Sequence, residues 1–379
     1  MKRYLSFIAV AAMIASAACA SHNAIPSLQG SARTDWAVPN FKVSGDVYVS
    51  MASQIAVFGP TGKARVATIS QPGRTPTALA FDRASNLYVG AARIVGNTCG
   101  VGSVTRYPAG SIKAKAAIDR GVVCPVALAF NKHLYVLNAD DQIAVYNPAT
   151  RKLLYTITAG LHVPTAMAFD HNGNLYVANN TSSNSSSAGT GNVTMYPRKA
   201  KAPTLTISFR NSIPLSLAVD SHNNLYVGST ANLPFSCSSS SSSSSAPVGL
   251  MTELAPRSTT VVRKIAPLLP VTAVTIDSSD NLYVAGATVA NACSSSSGSA
   301  EFDGAVAVFP PGTTTASRTI VMNDPFLMAL DDSENLYVAD CVISTCSTTF
   351  VIREVRAHGA RILRNLPAFS QPTALAAEP

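Results

Sequence analysis

The sequence predicts an all-β fold, a ring of seven four-stranded antiparallel blades, and three observations carry the prediction. A short signature recurs seven times, as Asp46-Val-Tyr-Val49, Asn86-Leu-Tyr-Val89, His133-Leu-Tyr-Val136, Asn174-Leu-Tyr-Val177, Asn224-Leu-Tyr-Val227, Asn281-Leu-Tyr-Val284 and Asn335-Leu-Tyr-Val338. Its tyrosines lie 40 to 57 residues apart, close to the period of propeller blades. Around each copy stand apolar pieces of strand length separated by Gly, Pro, Asn and Asp, and no stretch after residue 20 keeps a 3.6-residue period. The ends of the repeat are also complementary. The first copy lacks a leading strand, and Pro372-Thr-Ala-Leu-Ala-Ala377 is a leading strand with no copy after it. A ring whose last strand completes the first blade satisfies both and removes the sheet edges an open array would expose. The expected fold is a seven-bladed β-propeller, with six blades as the alternative count.

In chain order, residues 1–20 come first. Lys2 and Arg3 precede an uncharged run from Tyr4 to Ala20 that ends in small residues, the pattern of a secretory signal peptide. Two cuts are open. Ala18-Cys19-Ala20 suits cleavage before Ser21, whereas Ser16-Ala17-Ala18-Cys19 resembles a lipobox, with Ser16 where that motif prefers Leu and Cys19 as the lipidated residue. Residues 21–40, with the single tryptophan Trp36, form an N-terminal tether, and 41–379 a single propeller domain.

Within that domain the third copy shows the unit most clearly. Pro125-Val-Ala-Leu-Ala-Phe130, Leu134-Tyr-Val-Leu137, Gln142-Ile-Ala-Val-Tyr146 and Leu153-Leu-Tyr-Thr-Ile157 are its four strands. The third strand recurs as Ile55-Ala-Val-Phe58, Val104-Thr-Arg-Tyr107, Val193-Thr-Met-Tyr196 and Val306-Ala-Val-Phe309, each followed within two residues by Pro, which cannot donate to a ladder and so ends a strand.

The motif Phe-Asp-x-x-x-Asn-Leu-Tyr-Val with the Val/Ile-x-Val-Tyr/Phe strand behind it resembles the NHL-type β-propeller family, over residues 41–379. The resemblance implies architecture. It leaves function open, because such folds serve as binding scaffolds, lactonases and lyases.

Strand order divides the loops between two faces. Hairpins joining second to third strands share a face with the loops that lead into the next blade. All six cysteines after residue 20 belong there, and an even number in an exported chain argues for disulfides. The expected pairs are Cys99–Cys124, Cys237–Cys293 and Cys341–Cys346. Serine-rich insertions, Ser238–Ser245 above all, lie on the same face. On the opposite face, Asp82, Asp170, Asp220, Asp277 and Asp331 each stand four residues before the signature Asn. They are read as turn caps, since one or two oxygens per blade fall short of the six to eight that Ca²⁺ takes.

The inner strands carry no ligand-type side chain, and neither G-x-S-x-G nor a phosphate loop occurs. The reading is therefore a binding or scaffold module for a protein or glycan partner, without catalytic residues, metal or cofactor. The alternative is a metal-dependent lactonase or lyase at the channel mouth. Binding residues are sought where the copies differ: Arg93, Asp140, Asp141, His162, Asn179, Asn180, Asp324 and Asp340. The net charge of +8 is scattered, unlike the basic stripe with aromatics of a nucleic-acid binder. The chain is expected to be exported to the periplasm, envelope or exterior, monomeric, and to meet a membrane only through a lipid on Cys19.

Overall fold

The computed structural model describes residues 46–60, 64–95, 98–181, 189–231, 248–265, 271–290, 301–341, 350–368, 370 and 372–378. Residues 1–20 with Cys19 and 21–40 with Trp36, expected as a signal peptide and a tether, lie outside them, as do Cys237, Cys293, Cys346 and Ser238–Ser245.

Seven four-stranded antiparallel sheets form the ring. Blade 1 runs outward through Pro372–Ala377, Val47–Met51, Gln54–Phe58 and Arg65–Ser70. Blade 2 is Thr75–Phe81, Leu87–Val95, Thr98–Tyr107 and Ala116–Ile118, and blade 3 is Pro125–Asn131, His133–Asn138, Gln142–Tyr146 and Leu153–Ile157. Blade 4 comprises Pro164–Phe169, Leu175–Asn180, Gly191–Tyr196 and Leu205–Phe209. Blade 5 comprises Ser212–Val219, Leu225–Ala231, Val248–Leu254 and Val261–Ile265. Blade 6 is Val271–Ile276, Leu282–Ala290, Glu301–Phe309 and Arg318–Met322, and blade 7 is Pro325–Leu330, Leu336–Cys341, Phe350–Val355 and Ile362–Ala368. The C-terminal strand closes the ring as the sequence requires, pairing Val49 with Leu375 and Ser50 with Ala374.

Period-two alternation in the second strands builds the core. Leu175 and Val177 pack on Leu137, Ile143 and Val145 of blade 3. The intervening Tyr176, with Ala178, packs on Leu217, Leu225 and Val227 of blade 5. Each blade is thus buried on both faces, and each such side chain contributes on the order of 1.5–3 kcal/mol of burial.

Two seams hold the blades in register. Every inner strand has one irregularity near its start against its neighbour, as between Pro164 and Ala166 or Pro76 and Ala78. This bulge turns Thr77, Thr165, Thr272 and Thr373 toward the next blade. Their hydroxyls donate to the carbonyls of Pro125 (2.6 Å), Pro214 (2.9 Å), Pro325 (2.6 Å) and Pro76 (2.6 Å). On the opposite face, the amide after a turn Asp donates to a side chain of the following blade. His171 N bonds Asn223 Oδ1, Ser221 N bonds Asp280 Oδ1 and Ser278 N bonds Glu334 Oε1, all at 2.8 Å. The three acceptors stand at left-handed φ of 61–68°, which holds each side chain at the tip of its turn.

Candidate functional site

The turn carboxylates act as caps. Asp170 Oδ1 accepts the Asn174 amide at 2.7 Å and Oδ2 the Asn174 side-chain amide at 2.7 Å. In blades 5, 6 and 7 the signature tyrosine adds a third contact. Tyr226, Tyr283 and Tyr337 donate to Asp220, Asp277 and Asp331 at 3.3, 3.0 and 3.2 Å. Arg263, Arg318 and Arg364 on the outer strands reach the same hydroxyls. Burial, with the adjacent carboxylate second or close behind it, holds these hydroxyl pKa values above the ordinary tyrosine range.

Among the described residues one trio of potential metal ligands converges, Asp277, Glu334 and His358, on this turn face. Its contacts are those of an ion-paired seam. His358 Nε2 lies 2.7 Å from Glu334 and Nδ1 3.8 Å from Asp277, so the two carboxylates address different ring nitrogens. Asp277 already accepts from Ser279, Asn281 and Tyr283.

The residues singled out in the sequence fall in three places on the cysteine face. Asp140, Asp141, His162, Asn179 and Asn180 meet between blades 3 and 4. The Val163 amide donates to Asp141 Oδ1 at 2.6 Å, the His162 amide to Asn179 Oδ1 at 3.1 Å, and His162 Nδ1 lies 2.7 Å from the Asn180 carbonyl. These bonds hold Val163 at φ 43°, unusual for a β-branched residue. Cys124, at the same position of blade 3, has φ 46°, so the strain belongs to the repeat. Asp140 differs from its neighbours: Oδ1 is buried with no hydrogen-bond partner. Burial pushes its carboxyl above the ordinary range, against an opposing pull from its own backbone amide, and the charge of Asp141 adds a smaller push.

Asp324 and Asp340 meet between blades 6 and 7. Asp340 is fully buried. It accepts from the amides of Asn323 (3.1 Å) and Asp324 (2.7 Å) and from Arg353 Nε. Asn138 makes the corresponding bonds in blade 3, to Val123 N and Gly121 O. Asn138, Asn179 and Asp340 each stand three residues after the signature tyrosine and clamp the loop that enters their blade. That repeated offset was the available signal for their role.

Arg93 stands apart, on the hairpin between the second and third strands of blade 2. Its arm is braced to blade 3. Cys99 and Cys124 form the expected disulfide, Cys124 N donates to Gly100 O at 3.1 Å, and Gly102 N to Val122 O at 3.0 Å. Gly102 permits this approach, because a Cβ there would lie 2.8 Å from Pro125 Cδ. Between the arm and the Pro72–Arg74 loop lies a groove of about 660 Å³, lined by Arg74, Arg93, Val95 and Val101 with Pro72, Gly73, Thr98 and Gly100. Cys341 is buried at the end of its strand.

No family model and no curated protein matches this chain. Solved structures do. Hydrazine synthase from Kuenenia stuttgartiensis superposes with a TM-score of 0.60 at 15% identity, covering 81% of this chain and 90% of that one. A chain of a mitotic checkpoint complex gives 0.57 at 12% identity, covering 79% and 82%. The likeness is to the propeller fold. At these identities it extends to architecture alone.

Proposed function

We propose that this chain is an exported or envelope-associated propeller that binds a protein partner through its cysteine-bearing face. The observation that carries the reading is the braced arm of blade 2. The turn face repeats its caps and seam contacts, whereas on the cysteine face the arm of blade 2 departs from the repeat. There a disulfide holds a long hairpin beside an open groove, with Val95 and Val101 64% and 66% exposed. Rigid side chains presented by a fixed scaffold bind with less ordering cost than mobile ones. The NHL-type relationship belongs to the same proposal and is supported by the recurring Phe-Asp-x-x-x-Asn-Leu-Tyr-Val motif.

Export rests on Lys2, Arg3 and the uncharged run to Ala20. Mass spectrometry of the mature N-terminus checks it. A chain beginning at Ser21, or at an acylated Cys19, agrees; retention of residues 1–20 disagrees. A monomer is proposed because the ring closes without a partner strand. For the face itself, a photo-crosslinking residue is placed at Val101 and, as control, at Val321 on the outer edge of blade 6. A discrete protein adduct from Val101 alone supports the reading. Equal labelling from both sites, or adducts from Val321 alone, refutes it.

A further inference from the structure

The groove of blade 2 has a chemistry of its own. Two guanidinium groups line it, Arg74 and Arg93, and no acidic residue does. Among the described residues neither arginine has a carboxylate partner, and the Arg74 side chain makes one polar contact, from Nη1 to the Val101 carbonyl at 3.3 Å. Three arginines of the outer and third strands are paired with carboxylates. Arg263 pairs with Glu253, Arg353 with Asp340 and Arg364 with Glu354. Arg74 and Arg93 carry their charge beside Val95 and Val101, which are exposed on the arm. Guanidinium groups favour carboxylates through forked, charge-assisted bonds, and exposed valines beside them offer surface to apolar side chains.

We propose that this groove binds an acidic peptide segment of a protein partner, with Arg74 and Arg93 taking its carboxylates and Val95 and Val101 its apolar side chains. The inference rests on the reading of the cysteine face as the binding face, and specifies its ligand class. The brace from Cys99 to Cys124 fixes one wall before binding, so the arm is not ordered at the ligand's expense.

The test uses the full chain with its disulfide intact and fluorescein-labelled peptides of alternating Glu and Leu, with Gln-for-Glu and Lys-for-Glu controls, read by anisotropy. The Glu peptide is expected to bind at least about tenfold more tightly than the Gln peptide, the difference expected when charge-assisted bonds are lost. Arg74→Ala and Arg93→Ala each weaken it by about tenfold with unchanged circular dichroism. Arg151→Ala, in a turn of the opposite face, has no effect. Raising salt from about 0.1 M to about 0.5 M weakens the contact, as screening requires. Equal affinity for the Glu and Gln peptides overturns the inference, as does an equal loss in Arg151→Ala. So does Arg-dependent binding to phosphatidylglycerol vesicles without peptide binding. A discrete Val101 adduct together with equal Glu and Gln affinities leaves the face reading standing while this inference falls.

Discussion

Removing one oxygen from Tyr283 and from Tyr176 should have opposite consequences. Both side chains are almost fully buried at the same position of their repeats, in blades 6 and 4, at 2% and 1% exposure. Tyr283 Oη donates to Asp277 Oδ2 at 3.0 Å and accepts from Arg318 Nη2 at 2.9 Å. Phenylalanine there deletes two bonds to ionic partners and leaves the Arg318 guanidinium without that acceptor. Bonds to charged groups are worth about 1.5–3 kcal/mol each, and Asp277 keeps its Asn281 contacts, so the loss is about 2–4 kcal/mol. Tyr176 Oη has the Arg257 amide near it but no hydrogen bond of ordinary geometry. Tyr176→Phe removes an unsatisfied buried hydroxyl and is neutral or stabilising by up to about 1 kcal/mol. Urea denaturation with an unchanged slope reads both directly. If the two variants lose the same stability, or Tyr176→Phe loses more, the Asp–Tyr–Arg contact is not what holds these blades.

Asp140→Asn should stabilise the protein at neutral pH. Burial raises the folded carboxyl above its ordinary value of 3.8, so the folded state favours the neutral acid. That contribution is complete below the ordinary value and is lost as pH rises through the folded one. The gain from Asn, measured by melting temperature, is therefore largest near neutrality and vanishes below about pH 4; a constant gain across pH contradicts the assignment. Deleting residues 372–378 removes the inner strand of blade 1 and the fully buried Leu375, leaving Val47–Met51 with an open edge. Such a chain should aggregate or lose its cooperative melt in calorimetry, and a native-like melt argues against ring closure.

Much of the ring was legible because its determinants are local and repeated. The spacing of seven tyrosines gave the blade count, and the unmatched strand at Pro372 gave the closure. The turn aspartates were correctly read as caps because an Asp four residues before an Asn has a nearby amide to accept. Contacts between blades were harder to see. Thr77, Thr165, Thr272 and Thr373 look like ordinary strand residues until the bulge turns each toward a carbonyl 48 to 297 residues away in sequence. The same holds for Arg318 on Tyr283, which depends on outer-strand register. Of the residues sought for binding, Asn179 and Asp340 carry their hydrogen bonds within the scaffold, and Arg93 lines the groove. Its partner in the groove, Arg74, sits in a loop of the preceding link, which no motif connects to blade 2.

The most direct measurement is hydrogen–deuterium exchange of the full chain with and without the alternating Glu–Leu peptide. The account predicts added protection in segments carrying Pro72–Arg74, Arg93–Val95 and Thr98–Val101, with the turns around Asp170, Asp220 and Asp331 unchanged. Protection centred on those turns, or none in the groove at saturating peptide, would contradict it.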